Sequence, residues 1–122
     1  MKTIVIDTNA LLALINDKID VVAKTSEFLE EPLRFVVLKP CLAELGAVAK
    51  PSAFDAIMHY LEKRGASVVD APQQRPDDAI LEFASKRGSD CVVLSLDGRL
   101  RKRLKSKGVQ TITLRGAKLV LA

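Results

Sequence analysis

Residues 4–15 read IVIDTNALLALI. Ile4, Val5 and Ile6 are β-branched and apolar, the composition of a strand covered on both faces. From Thr8 onward, Leu11, Leu12, Leu14 and Ile15 recur at helical spacing. The polar cluster Asp7, Thr8 and Asn9 sits where one pattern gives way to the other. A buried strand passing straight into a helix is the repeating unit of an α/β domain. Ligands of such domains gather beyond the carboxyl ends of the strands. The stretch predicts a strand over 2–6 and a helix over 8–17, and it makes Asp7 the first candidate site residue.

The same alternation continues outward from it. Helices are predicted over 20–33, 41–50, 52–65, 77–88 and 98–108, and strands over 34–40, 66–70, 90–97 and 109–114. Residues 71–76, APQQRP, read as a loop, and 118–122, KLVLA, as either an edge strand or a packed tail. Val21, Val22, Phe28 and Leu29 are the expected apolar members of the second helix. Phe54, Ile57, Met58 and Leu61 form a stripe on the fourth, with Gly65 as its C-terminal cap. The strands are continuously apolar, as in a parallel sheet with helices on both faces. The reading is one three-layer α/β domain over 1–122.

The chain has 122 residues, 48% hydrophobic and only 4% aromatic, with a net charge of +4 and pI about 9.2. That is enough apolar material for a core without staples, but few rings for stacking unpaired bases. The positive balance mildly favours a polyanionic partner. Cys41 and Cys91 stand in apolar surroundings with no CxxC or Cys/His cluster, so they read as buried, reduced thiols. No secretory leader precedes the first strand, and no apolar run reaches the ~20 residues a membrane-spanning helix needs. A cytoplasmic protein with no membrane role is expected.

Acidic residues mark the strand ends. Asp7 follows the first strand, Glu44 lies in the helix after the second, Asp77 and Asp78 open the helix after the third, and Asp97 follows the fourth. Each has an ordinary explanation. Asp7 suits a helix N-cap, Asp77 or Asp78 a dipole partner, Asp97 before Gly98 a turn, and Glu44 a solvent-facing position. Together they form a set of hard oxygen donors of the kind Mg²⁺ takes, and clustered acids without a cation repel one another. Asp77 shares a helix face with Ile80, Leu81 and Ala84, and Asp78 is rotated from it by about 100°. Asp77 is therefore the expected ligand of that pair. Arg99, Arg101, Lys102 and Lys105 follow Asp97 on a basic helix, read as phosphate contacts against the alternative of a solvated charged face. His59, the single histidine, reads as helix surface or a packed ring.

These segments resemble the PIN-domain ribonucleases over essentially the whole chain. VIDTNALL (5–12), PCLAELGAV (40–48), PDDAILEFA (76–84) and VVLSLDGRLRKRL (92–104) are similar to that family's four ordered signatures. The resemblance implies a parallel sheet of about five strands, order 3-2-1-4-5, and cleavage of RNA phosphodiesters with Mg²⁺ or Mn²⁺. It makes Asp7, Glu44, Asp77 and Asp97 the metal-binding acids, with Thr8, Asn9, Ser95 and Asp78 supporting. Two branches fit: an rRNA-processing enzyme with ribosome-assembly partners, or the toxin of a toxin–antitoxin pair. Homodimerisation is compatible with both.

Three rivals weigh less or differ in kind. A haloacid-dehalogenase-like enzyme calls for a second Asp at position 9, where Asn9 stands. A receiver-like domain calls for a Lys after a later strand, and none follows VVLS within reach. A non-catalytic PIN-like module binding RNA or protein is the serious alternative.

Overall fold

The computed structural model describes residues 1–73 and 75–122; Gln74, inside the stretch read as a loop, lies outside them. The elements run β1 (Lys2–Ile6), α1 (Thr8–Asn16), α2 (Val21–Leu29), β2 (Leu33–Leu38), α3 (Lys39–Val48) and α4 (Pro51–Lys63). They continue through β3 (Ser67–Val69), α5 (Pro76–Ser85), β4 (Cys91–Leu94), α6 (Gly98–Ser106), β5 (Gln110–Arg115) and β6 (Lys118–Leu121). The strands form one sheet in the order β3-β2-β1-β4-β5-β6. The first five positions of that order are parallel, as the resemblance implied. β6 departs from it, because it pairs antiparallel with β5 and settles KLVLA as an edge strand.

β1 and β4 sit at the centre of the sheet. Ile4, Val5, Ile6, Val92, Val93 and Leu94 are all fully buried, with helices packed over both faces of the sheet. α1 lies against α2, α3 and α4, and α5 lies against α6. The chain leaves β1 in one direction to β2 and β3, then returns to its other side at β4. That reversal opens a crevice beyond the carboxyl ends of β1 and β4.

Several boundaries differ from the sequence reading, each for a local reason. Lys39 and Pro40 open α3 instead of closing β2, since proline fits the first turn of a helix, where its missing N–H costs nothing. α2 stops at Leu29 because Glu30 takes the left-handed conformation (φ 50). Phe28 and Ile15, expected to face inward, are instead 40% and 37% exposed. β4 ends at Leu94, so Ser95, Leu96 and Asp97 form a turn and not the end of the strand. Gly65 does follow the C-cap of α4 at φ 70, a conformation that a Cβ would strain.

Candidate active site

The site begins with register. Ile6 pairs with Leu94, so the next residues of the two central strands, Asp7 and Ser95, emerge side by side. The Asp7 amide donates to the Leu94 carbonyl at 3.0 Å and carries the pairing one step further. The Ser95 hydroxyl then donates to Asp7 Oδ2 at 2.8 Å and accepts from the Asp97 amide at 3.0 Å. One buried hydroxyl thereby joins the acid that ends β1 to the acid that starts α6.

Both acids also cap helices, as the ordinary reading of Asp7 expected. Asp7 Oδ1 accepts from the Thr8 amide at 2.7 Å at the start of α1. Asp97 Oδ1 accepts from the Arg99 and Leu100 amides at 2.9 and 3.3 Å at the start of α6. Capping sets the direction of each carboxylate. Thr8 Oγ1 donates to the Cys41 carbonyl at 3.3 Å, which ties α1 to the helix that carries Glu44. Asn9 Oδ1 accepts from the Leu96 amide at 3.1 Å and so holds the Ser95–Asp97 turn against α1. Thr8, Asn9 and Ser95 thus support the acids.

The electrostatics show which acids share one neighbourhood. Burial pushes Asp7 above the usual carboxylate range; the Ser95 and Thr8 hydrogen bonds oppose the rise, and the charges of Asp77 and Glu44 add to it. Asp77 is likewise raised, first by burial and then by Asp97, with Arg103 opposing and Glu44 and Asp78 adding. Asp7 therefore feels the charges of Asp77 and Glu44, and Asp77 feels those of Asp97 and Glu44, which links four elements through Asp77. Asp78 turns aside, its Oδ1 accepting from Arg103 Nη2 at 3.2 Å across the α5–α6 contact. The buried face of α5 is Ala79, Ile80, Phe83 and Ala84, so Leu81, expected in the inward stripe with Ile80 and Ala84, is only partly buried.

Among the described residues, no three Asp, Glu, His or Cys side chains are gathered tightly enough to hold a metal ion as they stand. The donor chemistry nevertheless fits a hard divalent cation: oxygen ligands only, with neighbouring negative charge adding to the raised pKa of Asp7 and of Asp77. Glu44 is exposed, so its long side chain has room to move towards the others. Thiol chemistry does not fit. Cys41 is fully buried, and its pKa is pushed up to about 12 by that burial and by nearby Asp7. His59 lies away from the acids, exposed on α4.

Beside Asp97 opens a concavity of about 580 Å³ lined by Arg99, Arg101, Lys102, Lys105 and Arg115. Among the described residues, Arg99, Lys102, Lys105 and Arg115 form no ion pair with a carboxylate. Arg101 differs, because its guanidinium donates to protein acceptors. Arg115 was missed in the sequence. It closes β5 at the same sheet edge as Asp97, so the rule that sites form at strand carboxyl ends points to it once the strand is assigned.

A family profile described as "PIN like domain" matches residues 4–117. No curated protein matches the sequence. Among solved structures, the PIN domain endonuclease Utp24 superposes with a TM-score of 0.81 at 16% identity, covering 98% of this chain and 90% of that one. VapBC2 from Rickettsia felis, solved bound to a DNA fragment from its promoter, superposes with a TM-score of 0.58 at 13% identity, covering 93% and 99%. At these identities the two likenesses speak for the fold.

Proposed function

Because this chain belongs to the PIN-like domain family, we propose that it is a divalent-metal-dependent ribonuclease. The observation that carries the reading is the acidic crevice: four carboxylates from four elements in one electrostatic neighbourhood, beside a concavity of unpaired cations. Endonuclease is also the activity named for the Utp24 structure.

Asp7, Glu44, Asp77 and Asp97 would hold Mg²⁺ or Mn²⁺. Bound there, such a cation would supply Lewis-acid stabilisation of phosphate charge and activation of water. The chain's own part is placement. Ser95 and the two helix caps fix the directions of Asp7 and Asp97 before substrate arrives, and such preorganisation lowers the barrier more than it tightens binding. Arg99, Lys102, Lys105 and Arg115 bind the flanking phosphates, which positions the strand without reading its bases. The low aromatic content agrees with backbone recognition. An antitoxin or a ribosome-assembly factor is the kind of partner this reading calls for, in the cytoplasm.

The test incubates the purified chain with total RNA and Mn²⁺ and maps the new ends by sequencing. Wild type should cleave, and Asp7→Asn and Asp97→Asn should not, with circular dichroism unchanged. Equal cleavage by wild type and both variants refutes the proposal. A non-catalytic module is the outcome if no cleavage occurs and calorimetry finds no Mn²⁺ heat that Asp7→Asn removes.

A further inference from the structure

We infer that Arg101 is a positioning residue that locks the Ser95–Asp97 turn, and not a ligand of RNA phosphate; the inference rests on the nuclease reading for its consequence in catalysis. Its neighbours in the basic concavity reach solvent, but Arg101 is half-buried and already engaged. Nη1 donates to the Ser95 carbonyl and to Thr113 Oγ1, each at 3.1 Å. A terminal guanidinium nitrogen carries two N–H bonds, so this one is fully committed to the protein.

The two acceptors explain why an arginine is needed. Ser95 is fully buried and Thr113 is 5% exposed. The Ser95 amide donates to the Ile112 carbonyl at 3.1 Å, and its carbonyl takes the Arg101 bond, so both backbone groups of Ser95 are held. The hydroxyl of that same residue joins Asp7 to the Asp97 amide. Arg101 closes the loop through its own amide, which donates to the Asp97 carbonyl at 3.0 Å. A path of hydrogen bonds therefore runs from Thr113 on β5, through Arg101 and Ser95, to the acids on both sides of the crevice. A displacement of Ser95 would misdirect two carboxylates at once, and misplacement of this kind slows the chemical step while leaving remote binding contacts alone.

The test compares wild type with Arg101→Lys, Arg101→Met and Thr113→Val. RNA affinity is measured without metal, in EDTA, across a salt series. Amide exchange at Leu96 and Asp97 is followed by NMR, and kcat and KM are measured with Mn²⁺. Arg101→Met should speed exchange at both amides and lower kcat about 10–100-fold, the range found when a group supporting a metal ligand is removed. KM and the salt slope should stay at wild-type values. Arg101→Lys, which keeps one donor group, should recover part of kcat. Thr113→Val, which cuts only the far anchor, should move the same readouts in the same direction by less. The inference is overturned if exchange is unchanged while RNA affinity drops and the salt slope flattens by about 0.7, the signature of one lost single-strand phosphate contact. If wild type does not cleave, the nuclease reading fails by itself, and the exchange and salt-slope measurements still decide what Arg101 does.

Discussion

Asp7 carries a conflict between stability and function. Its carboxyl is held above the usual range chiefly by burial, so the folded protein binds that proton more tightly than the unfolded chain does. Between the ordinary carboxylate pKa and the raised one, the folded state then holds more protons, and stability falls as pH rises through that window. Asp77 acts in the same direction. Asp7→Asn keeps the shape and removes one of these titrations. In metal-free urea titrations from pH 4 to 8, the variant should lose less stability with rising pH than wild type and be at least as stable at pH 7. Its Mn²⁺-dependent cleavage should be lost. Equal pH dependence in the two proteins would show that Asp7 is not strained by its burial. Gains of stability at the expense of function are usual where a site concentrates like charge.

At the scale of elements, α2 and α4 are joined by one polar cluster. Asp20 caps α2 through the Ala23 amide at 3.0 Å, the Tyr60 hydroxyl donates to Asp20 and accepts from the Val22 amide at 3.0 Å, and Arg64 pairs with Asp20 from the end of α4. Burial alone would raise the Asp20 pKa, but Tyr60, the Ala23 amide and Arg64 outweigh it and hold the group below its usual value. The stabilisation from Asp20 is therefore present above the ordinary carboxylate pKa and is lost as pH falls through the depressed one. Tyr60→Phe should cost about 1.5–3 kcal/mol at pH 7, the usual range for hydrogen bonds that include a charged partner. The deficit should shrink on acidification, which urea unfolding at pH 7 and pH 3 would show. A constant deficit would assign the cost to packing.

α6 makes a second prediction at this scale. Leu100 and Leu104 bury one face, and Lys102 and Lys105 stay exposed. Replacing both lysines with Ala should weaken RNA binding across sequences and flatten the salt dependence by about 0.7 log units per lost contact. A sequence-dependent loss would point to base contacts instead.

For the whole molecule, the central pairing is non-local. Thr3 meets Cys91 and Ile6 meets Leu94, so β1 and β4 are brought together only when the intervening helices have found their places. β6 closes the fold at the far edge, where Leu119 is 9% exposed and belongs to the hydrophobic core. Leu119→Ala should lower unfolding stability by about 2 kcal/mol, the low end for a leucine truncated in a core. Cleavage at 25 °C should be retained, because β6 lies two strands from the β1–β4 crevice. Loss of cleavage in a protein that remains folded would mean that the sheet edge transmits its position to the site.

The sequence by itself determined the alternation of strands and helices, the parallel core and the acids at the strand ends. Those features follow from local periodicity and from the carboxyl-end rule, neither of which needs a tertiary contact. Helix phase was legible only in part: Ile80 and Ala84 are buried as expected, but Ala79 and Phe83 complete that face in place of Leu81. Only the tertiary structure decided which groups were already spent. That Arg101 serves Ser95 and Thr113, that Arg103 serves Asp78, and that β6 runs antiparallel all depend on residues 6, 12, 25 and about a strand's length away. Side chains of one type in one run look equally free in a sequence. Which of them meets a buried acceptor and which meets solvent is set by the packing of elements around them, and that packing divides the basic helix into cations that hold the protein together and cations left at the surface.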